Sequence, residues 1–168
     1  MIRIWISGII AIMLTMPAWA DESHSELETA NMDAIGAMFA AFGAGDMDAM
    51  LAAMTEDITW EVNGSSADLP LHGTWQGHDG VLAWMEAFDS RIEVMDFAVD
   101  GMWADGDVVF VLVHNSGRVK STGVVVEQQE LMMFWLVEGK VSRMLDFDDS
   151  VQQYFAMQGA DDGTEDRD

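Results

Sequence analysis

The sequence of 168 residues contains no cysteine, a single tyrosine and only seven basic residues. Without cysteine there can be no disulfide bond, so the fold must be stabilised by burial of apolar side chains. The seven Lys and Arg residues stand beside 30 acidic ones, which gives a formal net charge of −23. Such a field repels phosphate backbones and anionic lipids and argues against both as partners. We attribute the acidity to solubility, as in a salty habitat, rather than to a specific cationic partner.

The chain also lacks an apolar run long enough to cross a bilayer. The longest run, Ile4 to Met16, falls short of the roughly 20 residues that a spanning helix needs. Arg3 precedes it, and the small-residue pattern Ala18-Trp19-Ala20 follows it, which is typical of a cleaved secretory signal peptide rather than of a membrane anchor. We therefore predict a signal peptide over residues 1–20 and a secreted or periplasmic protein. Its removal leaves 168 − 20 = 148 residues, enough for one domain.

Helical periodicity occurs mainly in the first half of this remainder. We assign residues 21–30 to a lead-in, 31–158 to the domain and 159–168 to an acidic, disordered tail. Ser25 and Glu28 have the spacing of a capping box. The predicted helices run from this box to Gly43, from an Asp46 cap to about Thr55, from Gly77 to Arg91, and from Ser150 to Met157. Methionines spaced along the second helix are interpreted as core, with a copper site as the less favoured alternative.

The second half of the chain changes to a two-residue period. Strands are predicted over residues 58–62, 94–103, 107–116, 124–137 and 140–148, and residues 63–75 are predicted to be a loop. Asp105-Gly106 and Glu138-Gly139 are predicted two-residue turns that make the strands beside them antiparallel. Helices followed by antiparallel strands predict an α+β domain whose helices cover one face of a curved sheet. The space between the two layers would form a small-molecule pocket.

Three strings resemble one known family. Phe39 to Asp46 ends a helix at an A-G-D turn, Leu69 to Val81 is similar to the P-x-x-G-x-x-x-G-H-x-x-V passage into a third helix, and Gly139 to Asp149 is similar to a G-K-I hairpin with an acidic last strand. Together they resemble the SnoaL-like, ketosteroid isomerase-related proteins of the NTF2-like superfamily over roughly residues 30–158. The resemblance implies a cone of curved antiparallel sheet around three helices, often paired as a homodimer through the sheet. Members include isomerases, cyclases, epoxide hydrolases, dehydratases and non-catalytic binders, so the fold does not identify the reaction.

The resemblance to the cyclases and epoxide hydrolases implies a working aspartate at Asp146. Counting from the Glu138-Gly139 turn pairs Asp146 with Leu131, Met144 with Met133 and Ser142 with Trp135. Burial among large apolar partners would raise the carboxyl pKa towards neutrality, as acid/base catalysis requires. The alternative places Phe147 in the core and Asp146 in solvent.

Other candidate site residues are histidines and large apolar side chains. His72 and His114, the latter predicted opposite Phe97, are candidate proton-transfer residues or structural histidines. The histidine spacing matches no metal-ligand pattern, and we expect neither a metal nor a cofactor. The candidate ligand-binding residues are Trp60, Trp75, Met133, Trp135 and Met144.

The sequence also departs from the family at informative positions. Met38 and Val62 occupy the places of the tyrosine and aspartate of the steroid isomerases, and Lys120 follows Arg118 where an epoxide hydrolase would need an aspartate. Two hypotheses therefore stay open. The chain is an enzyme that uses Asp146 in cofactor-free acid/base chemistry on a small apolar substrate, or it is a non-catalytic binding or accessory protein.

Overall fold

A computed structural model describes residues 25–64 and 68–160 of the chain. The predicted signal peptide and residues 161–168 of the predicted tail lie outside the described residues. The helices are α1 (Glu26–Gly43), α2 (Met47–Ala52), α3 (Gly77–Arg91) and α4 (Ser150–Met157). The strands are β1 (Met54–Val62), β2 (Gly73–Gln76), β3 (Ile92–Asp105), β4 (Val108–Val119), β5 (Val125–Val137) and β6 (Lys140–Phe147). None of the described helices is long and apolar enough to span a membrane.

The six strands form one curved, open sheet in the order β2-β1-β6-β5-β4-β3, which confirms the predicted α+β class. Neighbouring strands are antiparallel except for β1 and β6, which run parallel. The segment predicted as a loop contains β2, which pairs with β1 from Thr59↔Gln76 to Val62↔Gly73. The sequence of β2 did not predict this edge strand, because the segment contains glycine and has little local preference for a strand. Pairing with β1 stabilises it instead.

The helix boundaries follow the capping signals closely. The side chain of Ser25 accepts from the backbone of Glu28, and the side chain of Glu28 accepts from the backbone of Ser25, so the predicted capping box is present. Both α3 and α4 occupy their predicted ranges. The second helix ends at Ala52, earlier than predicted, because Met54 already pairs with Val141 in the sheet.

The β3–β4 turn lies one residue later than predicted. Asp105 pairs with Val108, so the two turn residues are Gly106 and Asp107, and Gly106 has a φ of +58°. The side chains of Glu28 and Asn31 on α1 fix this turn by binding the backbone N–H and C=O of Gly106, respectively. This shift of the turn, together with a bulge at Asp100 between Val99 and Gly101, pairs His114 with Ala98 instead of the predicted Phe97.

A bulge changes the predicted register of β5 against β6. Val137 faces Lys140 as predicted, but Leu136 pairs with Val141 and Trp135 with Arg143, so Ser142 is an extra residue on β6. An extra residue shifts every later pair by one position. The predicted pairs of Asp146, Met144 and Ser142 are therefore wrong: Asp146 faces Met132, Met144 faces Phe134, and Ser142 is the unpaired residue.

The main core lies between helices α1 to α3 and the inner face of the sheet. Its fully buried side chains include Ile35 of α1, Ile58 of β1, Val81 of α3 and Phe134 of β5. A smaller apolar cluster joins α4 to the ends of β4 and β5 through Ala156, Val119 and Val126. The space between these two clusters contains the cavity described next.

Candidate functional site

A cavity of about 130 Å³ lies between the inner face of the sheet and the helices. Its walls are mostly apolar and come from α1 to α4, from β1 and β3 to β6, and from the segment that precedes β2. Aromatic rings form much of the surface, among them Phe39, Trp60, Trp84, Phe88 and Phe97. Trp84 stacks on Phe88 with ring centroids 5.1 Å apart, and the centroid of Trp60 is 5.4 Å from that of Trp84. This volume is close to that of engineered apolar cavities that bind benzene.

A group of polar side chains interrupts the apolar lining. Its members are His72, Asn115, Gln128, Glu130, Asp146 and Asp148. Gln128 and Glu130 lie two residues apart on β5 and face the same side, because alternate residues of a strand do so. The next residue of β5 on that side is Met132, which pairs with Asp146 of β6. The sheet thus carries acids inward at a place where an ordinary domain would bury aliphatic side chains.

Asp146 is the most strongly perturbed acid of this group. Its side chain points inward, as predicted, with the residue 6% exposed, whereas Phe147 is 39% exposed. Burial raises its pKa well above the ordinary value, the charges of Glu130 and Asp148 raise it further, and the backbone N–H of Phe147 lowers it. Its Oδ1 atom has no hydrogen-bond partner among the described residues. A carboxyl group in this setting keeps its proton to a higher pH than an exposed aspartate does.

Glu130 lies beside Asp146 on the inner face and was not predicted. Burial is the main cause that raises its pKa, and the charge of Asp148 adds to it. Hydrogen bonds from the side chains of Asn115 and Gln128 and the charge of His72 lower it. The amide donors around Glu130 stabilise its carboxylate form, whereas Asp146 receives only a backbone donor.

His72 and Asp148 form a buried pair at the same cavity. The Nε2 atom of His72 lies 2.9 Å from Oδ1 of Asp148, and the two side chains are 3% and 7% exposed. The other ring nitrogen of His72, Nδ1, is buried and has no partner among the described residues. If Nε2 carries the proton and donates it to Asp148, Nδ1 is left as an acceptor.

Three of the candidate residues from the sequence meet at the cavity: Asp146, His72 and Trp60. His114 does not join them, since its side chain is 46% exposed and it binds Asp100 and Asp96. Trp75 packs against Trp84 but does not line the cavity, and Met144 is buried in the core beside it. The bulge at Ser142 explains why Met133 and Trp135, which were predicted to bind the ligand, do not line the cavity. With the register shifted, the inward positions of β5 are even-numbered, and these two side chains lie on the other face of the sheet.

Of the two cavity acids that sequence reasoning missed, Asp148 carried a usable signal and Glu130 did not. Asp148 follows Asp146 by two residues, so the alternation that directs Asp146 inward directs Asp148 inward as well. Glu130 would have been found only with the correct β5–β6 register, which the sequence does not specify.

The structure also shows where the residues lie at which the sequence departs from the family that it resembles. Met38 and Val62, the two positions at which the resemblance implies the tyrosine and aspartate of the steroid isomerases, both line the cavity. Glu61 projects to the opposite face, where it binds Arg143 at 3.0 Å. Arg118 pairs with Glu93 outside the cavity. Within residues 25–64 and 68–160, no group of three or more His, Asp or Glu side chains is arranged to hold a metal ion.

Comparison with known proteins agrees with this architecture. The chain is similar to an NTF2-like protein from Burkholderia xenovorans LB400, with 27% identity, a TM-score of 0.69, and coverage of 77% of this chain and 97% of that one. A SnoaL-like protein from Jannaschia sp. CCS1, proposed to be a polyketide cyclase, matches with 20% identity, a TM-score of 0.70, and coverage of 81% and 96%. An LEH-like epoxide hydrolase from M. tuberculosis matches with 19% identity, a TM-score of 0.59, and coverage of 79% and 90%. The last two likenesses show the fold alone.

No curated protein matches the sequence. The family model of the SnoaL-like domain matches residues 35–144, which is well over half of the chain. The match includes β1 to β5 and the first part of β6, and it ends before Asp146 and Asp148. The chain belongs to the SnoaL-like domain family of the NTF2-like superfamily.

Proposed function

We propose that this protein binds a small, largely apolar molecule in its cavity and performs cofactor-free acid/base chemistry on it through Asp146. The observation that carries the proposal is a buried carboxyl group that faces an aromatic cavity and whose Oδ1 atom has no partner among the described residues. Burial and two neighbouring acids raise the pKa of Asp146, so this group holds a proton under conditions in which an exposed aspartate has lost it. Its proton is therefore available to an oxygen of the ligand.

The chemistry that fits this arrangement is proton transfer at a polarised oxygen or beside one. Protonated Asp146 donates to a carbonyl, hydroxyl or epoxide oxygen, while His72, which lines the same cavity, can accept a proton through Nδ1. Isomerisation, cyclisation and hydrolysis all need such a step. Neighbours of the same fold with cyclase and epoxide hydrolase names support this range of reactions without selecting one.

The second candidate is a non-catalytic binding or accessory protein that uses the same cavity. It is favoured by Met38 and Val62, which leave the cavity without the tyrosine and aspartate of the steroid isomerases. Under this alternative, Asp146 anchors the ligand by a hydrogen bond and releases it unchanged.

Two further parts of the proposal concern location and assembly. Residues 1–20 have the pattern of a signal peptide, so we propose a secreted or periplasmic protein. The outer face of the sheet displays Leu131 and Phe147, which are 38% and 39% exposed, and we propose that it pairs two copies as a homodimer.

The test begins with native mass spectrometry of protein purified from its source, which identifies a co-purifying ligand. Turnover of that ligand is then compared between the wild type and Asp146→Asn, with Asp57→Asn as control because Asp57 is exposed on β1. We expect the cavity variant to lose about 100-fold or more in turnover while it still binds the ligand. Equal turnover in all three proteins would reject Asp146 as the catalytic group, and no turnover by the wild type would favour the binding protein.

A further inference from the structure

We propose that the ligand of this cavity is a compact lipophilic amine, bound as an ammonium ion whose N–H groups meet the acids while its apolar body contacts the aromatic walls. The inference rests on the proposed binding function of the cavity and deepens it by naming a ligand class. Three features of the lining carry it, namely its charge, its unpaired atoms and its ring faces, and the cavity volume of about 130 Å³ limits the ligand to a compact molecule.

The charge of the lining has one sign. Three carboxyl groups, those of Glu130, Asp146 and Asp148, face the cavity, and none of the lining residues is lysine or arginine. His72 is the one lining group that can become cationic, and it is already paired with Asp148. An anionic ligand would add to the repulsion between Asp146 and Glu130, whereas a cation would relieve it.

The unpaired polar atoms of the lining mostly require a donor. Among the described residues, four buried atoms that lack a partner belong to lining side chains: Oδ1 of Asp146, Oε1 of Gln128, Nδ1 of His72 and Nε1 of Trp60. Oε1 of Gln128 is an acceptor, and Oδ1 of Asp146 becomes one when the carboxyl group releases its proton on binding a cation. Nδ1 of His72 is a third acceptor when Nε2–H donates to Asp148, so the indole N–H of Trp60 is the one donor among these four atoms. A ketone or ether brings acceptors alone, so it can pair with the indole N–H but leaves the buried acceptors without a donor, which is unfavourable. An ammonium group brings up to three N–H donors.

The aromatic walls suit the rest of such a molecule. Trp84 lies between Trp60 and Phe88, with centroid distances of 5.4 and 5.1 Å, and all three rings line the cavity. Faces of indole rings attract cations and stack on aryl groups. Since no three acids or histidines of the described residues are arranged around one point as metal ligands, the geometry favours an organic cation over a metal ion.

The experiment uses benzylamine, benzyl alcohol and benzoate, three probes of similar size that differ in charge and in donors. Isothermal titration calorimetry at pH 7 and about 0.15 M salt measures their affinities for the wild-type protein. We expect benzylamine to bind at least about tenfold more tightly than benzyl alcohol, a difference of about 1.4 kcal/mol, and benzoate not to bind. Repeating the titration in buffers of different ionisation enthalpy measures proton release. We expect release on binding benzylamine, because an ammonium ion lowers the raised pKa values of Asp146 and Glu130.

Matched variants separate the cavity from the acidic surface. Glu130→Gln and Asp146→Asn should each weaken benzylamine about tenfold or more while they leave benzyl alcohol within a factor of about three. Glu127→Gln is the control, because Glu127 is exposed on the same strand. Replacing a buried acid of raised pKa by its neutral amide should not unfold the protein, and thermal melts verify this.

Three results would overturn the inference. Equal or tighter binding of benzyl alcohol would reject an amine ligand while leaving the proposed function intact. Benzylamine binding that neither cavity variant weakens would place it on the acidic surface. Failure of all three probes to bind would reject this ligand class, and the Asp146→Asn turnover assay would still test the proposed function separately.

Discussion

At position 146 the chain buries an acidic side chain, although a neutral side chain there would lower the electrostatic cost of folding. The residue is 6% exposed, its Oδ1 has no partner among the described residues, and Glu130 and Asp148 lie close enough to raise its pKa. Groups held in such positions are often functional, because stability alone would replace them. The structure therefore identifies a carboxyl group that is costly to keep ionised, which is a useful property in a proton donor.

This cost predicts a pH dependence of stability. The folded protein binds the Asp146 proton more tightly than the unfolded chain does, so the contribution of this group is complete below its ordinary pKa of 3.8 and is lost as the pH rises through the raised value. The variant Asp146→Asn has no such loss. Its free energy of unfolding relative to the wild type should therefore increase with pH, by about 1.4 kcal/mol for each unit by which folding raises the pKa. Urea denaturation at a series of pH values from 4 upwards measures this difference.

The control for this prediction is Asp57→Asn, whose carboxyl group is exposed. That variant should differ from the wild type by a constant amount across the same pH interval. A constant difference for Asp146→Asn as well would contradict the assignment of a raised pKa to Asp146.

Single residues also explain which parts of the site were predictable. Alternation along β1 predicts the position of Trp60. Alternation along β6 left open whether Asp146 or Phe147 faces inward, and the inward direction of Asp146 was implied by the resemblance to the family. Glu130 was missed, and Met133 and Trp135 were chosen in its place, because Ser142 adds one residue to β6 and exchanges the faces counted across the hairpin. His72 and Asp148 meet over a sequence separation of 76 residues, so only the folded chain brings them together.

At the scale of elements, helices were predicted more accurately than strands and turns. Caps define both α1 and α4 locally, through Ser25 and Asp149, and their boundaries needed no long-range information. The edge strand β2 and the β3–β4 turn depend on partners elsewhere in the chain, namely β1 and the side chains of α1. Sequence periodicity therefore identified the layers of the fold but left their registers undetermined.

The cap of α4 also matters for the cavity, because this helix forms part of the cavity wall. Its residues Gln153 and Met157 line the cavity, and the side chain of Asp149 accepts hydrogen bonds from the backbone of Val151 and Gln152 at its start. The variant Asp149→Ala should lower the opening free energy of α4 by about 1 kcal/mol, because it removes the cap. Native-state hydrogen exchange should show this as about fivefold faster exchange of the α4 amides.

Asp149→Asn provides the matched control, because asparagine caps a helix about as well as aspartate. Its α4 amides should keep wild-type protection. Equal exchange rates in the alanine variant and the wild type would show that packing through Ala156, rather than the cap, determines the stability of α4.

For the whole molecule, opposing forces act on the proposed dimer. Leu131 and Phe147 are exposed on the outer face of the sheet, where their burial would favour association, whereas a net charge of −23 on each full-length chain opposes it. Salt shortens the screening length from about 10 Å at 0.1 M to about 3 Å at 1 M, so it weakens the repulsion far more than the apolar contact. Sedimentation velocity should therefore show a dimer fraction that increases with salt.

A charged substitution identifies the face that pairs. Leu131→Glu should keep the protein monomeric at both ionic strengths, because it places two further acids within the proposed interface. Val151→Glu adds the same charge on α4, where Val151 is 63% exposed and lies off the sheet, and it should leave the salt-dependent dimer unchanged. If the wild type stays monomeric at both ionic strengths, the dimer is rejected; if both variants abolish it, net charge rather than the sheet face controls association.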